Sequence, residues 1–250
     1  MSGWSQAPNT VAAASRIGIA AVLTKLLRRA WSTRQSVALV HEPLVEAPMP
    51  VGFRAELVPP ESFEELAQIL AGATGLDYLF VRNAEHTRRA GIGTVCVART
   101  DTGLAMAFLF VYETNDRAAL NHIAPNMHPP LAADEALTEQ VYCLPAHRGH
   151  GVMTKLLQVT ESVLAARGKR RAFAYVDTTN TQSLRTFARA GYAPAGFERV
   201  DRYRFGRHST TFRTTTGTSY DRWRAAAAGS QKRSRPATTL KPDEASASAY

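Results

Sequence analysis

The run Leu144-Pro145-Ala146-His147-Arg148-Gly149-His150-Gly151-Val152 joins a strand-like segment, 137–144, to a helical one, 151–167. In the second segment Val152, Leu156, Leu157, Val159, Val163 and Leu164 fall on one broad apolar face. Two glycines at a strand-to-helix turn let backbone amides approach a ligand closely. The first-turn amides of a helix have no intrahelical partner, and the helix dipole adds to their pull on an anion. Arg148 and His147 add positive character at the mouth. The run therefore reads as a phosphate cradle, although an ordinary tight turn uses glycine in the same way. Gly-Lys-Ser and Gly-Lys-Thr are absent, which excludes an ATP-type P-loop, and the third glycine of a dinucleotide fingerprint is missing.

Outward from this turn the pattern stays regular. Before it, 53–58 alternates as a strand, Pro59-Pro60-Glu61-Ser62 starts a helix, and a second helix fits 77–90. Thr94–Ala98 and Leu104–Tyr112 form a hairpin across Asp101-Thr102-Gly103. Residues 113–135 read as a long irregular loop, a place for substrate selection. After the turn come a strand at 172–176, a helix at 180–190 ended by Gly191, and two closing strands at 203–205 and 210–216. The order is that of an α/β domain with a mixed sheet.

A second motif follows the first: Asn180, Ser183, Phe187, Gly191 and Tyr192. With the turn at 143–151 and the Leu156-Leu157 pair, it makes the chain resemble the GNAT superfamily of acyl-CoA N-acyltransferases over roughly 52–215. The resemblance implies a mostly antiparallel mixed sheet flanked by helices, with two central strands splayed around an acyl-CoA. It implies that the amides of Arg148, Gly149, His150, Gly151, Val152 and Met153 hold the CoA pyrophosphate. Backbone groups of Val141 and Cys143 would hold the pantetheine arm, and an amide there would stabilise the developing oxyanion. Asn180, Ser183 and Phe187 would touch the cofactor from the other wall. The activity implied is transfer of acetyl from acetyl-CoA, or of another acyl group, to the amine of a small molecule, an EC 2.3.1 reaction by direct attack without a metal.

This chain departs from the family pattern in three places. Met153 stands where the motif ends in glycine or alanine, and would crowd the pyrophosphate. Phe187 stands where the family often has the tyrosine that protonates the thiolate, leaving Tyr192 and Tyr142 as candidates. No general base is fixed. Glu139 shares strand parity with Val141 and Cys143, so it is expected to face the gap and serve as the base. Cys143 is a candidate nucleophile, with a packed thiol as the plainer reading. His147 and His150 lack a third ligand, so zinc is not expected. Asp177–Asn180 reads most simply as a strand end and helix cap.

The 250 residues allow one catalytic-sized domain with tails. The net charge of +9 is not spread over it: residues 1–36 carry +5, residues 224–250 carry +3, and 37–223 only +1. A near-neutral central domain argues against specific nucleic-acid binding. Two cysteines, Cys96 and Cys143, exclude a disulfide-rich secreted scaffold and suggest a reducing, cytoplasmic compartment. No apolar run reaches the ~20 residues of a membrane span.

The expected organisation is a disordered start over 1–13, a basic amphipathic helix and linker over 14–40, the acyltransferase domain over 52–216, and a disordered tail over 225–250. The helix, drawn as 14–36, would pack on the domain or on a second subunit of a homodimer, or lie on an anionic membrane. The membrane alternative makes the protein a longer-chain acyl transferase. A third reading, from Phe187 and Met153, is a non-catalytic CoA-binding member of the fold.

Overall fold

The computed structural model describes residues 31–48, 50, 52–123, 130–205 and 207–231. They form one eight-stranded sheet flanked by helices. The strands are β1 (Trp31–His41), β2 (Arg54–Val58), β3 (Thr94–Arg99), β4 (Ala105–Tyr112), β5 (Glu135–Cys143), β6 (Arg171–Asp177), β7 (Ala193–Arg204) and β8 (Arg207–Thr214). The helices are α1 (Glu65–Gly72), α2 (Gly75–Arg89), α3 (Arg117–Ile123), α4 (Val152–Ala166), α5 (Thr181–Ala190) and α6 (Gly217–Gln231). The spatial order is β2-β3-β4-β5-β6-β1-β7-β8. Every neighbouring pair is antiparallel except β5–β6, which is parallel. The sheet is thus mixed and mostly antiparallel, as expected.

Both faces of the central strands are covered, so β3 and β4 read as nearly continuous apolar runs. On one face Cys96, Ala98, Ala107, Leu109 and Val111 meet Leu156, Leu157 and Leu164 of α4 and Leu184, Phe187 and Ala190 of α5. On the other face Val95, Val97, Phe108, Phe110 and Tyr112 meet Phe63, Leu66 of α1, and Val81 and Ala84 of α2. The three leucines of α4 are fully buried. At about 1.5–3 kcal/mol each, they fix the helix on the sheet and so fix the glycine turn that precedes it.

The first strand departs from the sequence reading. Residues 14–30 of the expected helix lie outside the described residues, but Trp31–His41 is a strand, not helix and linker. It inserts between β6 and β7, with Ser36–His41 paired to Ala172–Asp177. Val37, Ala38 and Leu39 are fully buried there, so β1 is a central element of the domain.

Two further segments differ. Residues 114–123 of the expected loop form a short 3-10 turn and α3, while 124–129 lie outside the described residues. Residues 225–231 of the expected tail continue α6, as four consecutive alanines favour; 1–13 and 232–250 lie outside the described residues. Glu198, fully buried on β7, ties α6 down. It accepts hydrogen bonds from Gln35 Nε2 (2.7 Å), Arg213 Nε (2.6 Å) and Ser219 Oγ (2.7 Å). Burial pushes its pKa up, but the bonds from Ser219, Arg213 and Gln35 prevail and hold it below the ordinary value.

Candidate acyl-donor site

The parallel pair β5–β6 opens into a gap. Its ladder runs from Glu135↔Arg171 to Thr138↔Ala174 and stops, although β5 continues to Cys143 and β6 to Asp177. Because the strands are parallel, α4 after β5 and α5 after β6 both start at the wide end of this gap.

A bulge re-aims β5 as it leaves its partner. Ala107 pairs with Cys143 and Phe108 with Tyr142, but Phe110 pairs with Glu139. Leu109 therefore faces two residues, Gln140 and Val141, and Gln140 adopts a positive φ of 51°. The Leu144 amide donates to the Met106 carbonyl (2.9 Å). By antiparallel alternation the amide and carbonyl of Cys143 point the other way, into the gap.

The bulge overturns the parity argument for Glu139. With an extra residue in between, Val141 and Cys143 pack towards the α4 face. Leu137 and Tyr142 belong to the other face, and Glu139, opposite Phe110, lies with them. There its carboxylate accepts from Arg199 Nη1 at 3.1 Å. Arg199 also lies 3.2 Å from Asp201 and stacks over the Tyr175 ring at 4.8 Å. Glu139 thus lies on the face opposite α4, held in an ion pair.

The glycine turn has the expected form. Pro145–His147 makes a 3-10 turn, and Gly149 and Gly151 take positive φ values of 84° and 76°. A Cβ at either would meet nothing within 4 Å, so the space above the turn is open. Gly151 is the cap residue of α4 and has no side chain to occupy the first-turn amides, which leaves them for a ligand. An anionic pyrophosphate fits this donor set. Met153 packs towards the apolar core with Val152, so it does not occupy that space.

Arg148 is already engaged. Its Nη2 donates to Asp77 Oδ1 at the start of α2 (2.8 Å), its Nε donates to the Cys143 carbonyl (3.0 Å), and it lies over the Tyr142 ring. The side chain bolts α2 to the end of β5, while its backbone remains part of the turn. Asp77 and Tyr142 are its partners, and sequence periodicity gave no signal for Asp77.

On the α5 side, Asn180 Oδ1 accepts from the Ser183 amide (3.1 Å), which makes it a helix cap on the exposed rim. Asp177 Oδ1 accepts from the Thr179 amide (2.8 Å) and closes the preceding turn. Phe187 is buried and meets Tyr192 edge to face at 4.9 Å.

The catalytic candidates fare unequally. Tyr192 is 2% exposed, and burial raises its phenol well above the usual tyrosine value. It lies beside His41 on the α4 side, where His41 Nδ1 meets Glu161 Oε2 at 2.7 Å. Tyr142 is 7% exposed, and burial and Asp77 raise its pKa despite Arg148. The Cys143 thiol is half-buried and donates weakly to the Leu144 carbonyl; burial raises its pKa against the pull of Arg148. It has the character of a packed thiol rather than an activated nucleophile. Among the described residues no group of three or more His, Cys, Asp or Glu could hold a metal ion, and no helix is long and apolar enough to cross a membrane.

Comparison with known proteins agrees with the geometry. Residues 78–192 match the model of the acetyltransferase (GNAT) family. This range includes both motifs and the gap between β5 and β6, and the resemblance to that family is shown there. No curated protein sequence matches the chain. Among solved structures, the glucosamine N-acetyltransferase region of a fungal multi-domain β-N-acetylglucosaminidase superposes with TM-score 0.50 at 14% identity. The match covers 69% of this chain and 21% of that one. A GCN5-related N-acetyltransferase from Sphaerobacter thermophilus gives 0.44 at 19%, over 77% of this chain and 59% of that one. A GNAT-family acetyltransferase from Novosphingobium aromaticivorans gives 0.44 at 14%, over 74% of this chain and 66% of that one. In each case this chain spans under two thirds of the solved chain, and at 14% identity the likeness to the first of them is one of fold alone.

Proposed function

We propose that this protein is an acyl-CoA-dependent N-acyltransferase that moves acetyl from acetyl-CoA to the amine of a small molecule. The observation that carries this reading is the gap between β5 and β6, widening towards a glycine turn whose amides are open. The pyrophosphate would rest on the amides of Arg148 to Met153. The pantetheine arm would lie along β5, with the Cys143 amide facing it. Asn180 and Ser183 would line the opposite rim.

In the reaction the amine nitrogen attacks the thioester carbon directly, and the sulfur leaves with its electron pair as the carbonyl reforms. No enzyme nucleophile is needed, which suits the raised pKa of Cys143. A backbone amide facing the gap stabilises the oxyanion, a contact worth about 10²–10³ in rate where it has been removed elsewhere. Glu139 assists by drawing the ammonium proton off through water, from the face opposite α4. The acceptor is read as a small molecule because the described residues form one domain around one gap.

The test is CoA release, followed with a thiol reagent across a panel of small amines. The wild type should release CoA above background with some amine, and Gly151→Trp, which fills the space above the turn, should not. Equal release by the two proteins would remove the glycine turn from the account.

A further inference from the structure

The gap between β5 and β6 closes at one defined point, and two side chains stand there. The last ladder pair is Thr138↔Ala174. Glu139 on β5 and Tyr175 on β6 are the next residues in each strand. Glu139 lies on the face opposite α4. So does Tyr175, two residues after Phe173 and packed with it against the same core. The Tyr175 hydroxyl oxygen is buried and has no hydrogen-bond partner among the described residues. A buried phenol oxygen ordinarily has a hydrogen-bond partner, and at the end of the ladder a ligand group can supply it.

The ring itself is held firmly. It contacts Phe197 at 6.3 Å and Phe212 at 6.0 Å, and Arg199 lies over it at 4.8 Å. Arg199 in turn is fixed by Glu139 and Asp201. The two phenols that the sequence offered as candidates are placed elsewhere. Tyr142 lies at the wide end beside Asp77 and Arg148, and Tyr192 is buried on the α4 face beside Glu161. Phe187 has no hydroxyl to offer.

The inference rests on the acyltransferase reading. With the pyrophosphate at the wide end and the arm running back along β5 from Cys143 past Val141, the thioester comes to the narrow end. We infer that Tyr175 is the group that donates its phenolic proton to the departing thiolate. As the C–S bond breaks and sulfur takes the electron pair, the O–H proton moves to sulfur and leaves a phenolate beside Arg199. The proton shed by the newly acylated nitrogen restores the phenol. The sum is amine plus thioester to amide plus thiol, with the enzyme unchanged. Burial keeps the phenol protonated, and the Arg199 guanidinium opposes that shift by favouring the phenolate.

The test is Tyr175→Phe, which keeps the ring and its packing. The first readout is binding: coenzyme A itself is titrated on the protein, and its thiolate is followed by ultraviolet absorbance against pH. A donor aimed at sulfur favours the thiolate, so CoA on the wild type should ionise about one pH unit or more below CoA on Tyr175→Phe. The second is kcat for acetyl transfer, expected to fall about 100-fold with the acetyl-CoA dissociation constant within twofold of wild type. That unchanged affinity also reports that the variant is folded. Matching thiolate titrations, or a kcat within twofold, would overturn the role of Tyr175 and leave the acyltransferase reading standing. A wild type that takes up neither CoA nor acetyl-CoA would overturn both.

Discussion

Replacing Gly93 with alanine probes how tightly β3 and β4 are joined beside α2. Gly93 has φ +81°, a conformation that costs a residue with a Cβ about 1–2 kcal/mol. A Cβ there would also lie 2.6 Å from the Val111 carbonyl oxygen and 2.6 Å from the Tyr112 ring. Backbone cannot swing aside, and Tyr112 is 1% exposed, so both would have to shift at roughly 1–3 kcal/mol. The Gly93 amide also donates to Asp116 Oδ1 (3.1 Å), a bond that the shift strains. Together these give ~2–5 kcal/mol, or a fall in Tm of roughly 5–20 °C for a domain of this size. The control lies two residues away. Gly91 has φ +64° but nothing within 4 Å of its Cβ, so Gly91→Ala carries the backbone strain alone. Thermal unfolding of the two variants separates the terms. If Gly93→Ala is no more destabilised than Gly91→Ala, the close approach of β4 to Gly93 is wrong.

Arg148→Glu should weaken acetyl-CoA binding at least tenfold by placing a negative charge beside the phosphates, yet shift Tm by only a few degrees. The Asp77–Arg148 pair that it breaks is part-exposed, and such pairs contribute about 0–1 kcal/mol; binding like wild type by calorimetry would contradict the placement of the cradle. The His41–Glu161 pair makes stability pH-dependent. The hydrogen bond that His41 donates to Glu161 raises the His41 pKa against burial, so its contribution is full below the ordinary histidine value of about 6.5 and is lost as pH rises through the folded value. Burial likewise raises Glu161, so its contribution also falls with rising pH, from the carboxylate range upward. Urea unfolding should therefore show wild-type stability declining above pH 6.5, and Glu161→Gln flattening that decline; an unchanged slope in the variant would dismiss the pair as its source.

Much of the frame was legible because its signals are local. The hairpin at 94–112, the glycine turn at 148–151 and the end of α5 at Gly191 each follow from residues within a few positions of one another. The strand β1 escaped for the opposite reason. Its partners Ala172–Asp177 and Ala193–Arg204 lie more than a hundred residues away, and the helix read over 14–36 was drawn across its start. The side of Glu139 was misread because period-two parity holds only in an unbroken strand, and the bulge at Gln140–Val141 carries neither glycine nor proline to announce it. Asp77, the partner of Arg148, had no signal, since an acid in the first turn of a helix is ordinary. Tyr175 was hidden in a segment read only as a short apolar strand. Its alternation with Phe173 and Asp177 fixed its face, but only the end of the β5–β6 ladder shows that it borders the gap.

The central claim is that the opening between β5 and β6, with its glycine turn, holds an acyl-CoA. Calorimetric titration of the full chain with acetyl-CoA, and then with a long-chain acyl-CoA, tests it most directly. The account predicts saturable one-to-one binding of acetyl-CoA at or below about 1 mM, the upper range of enzyme–substrate constants, and its loss in Gly151→Trp. Absence of binding by both donors would contradict it.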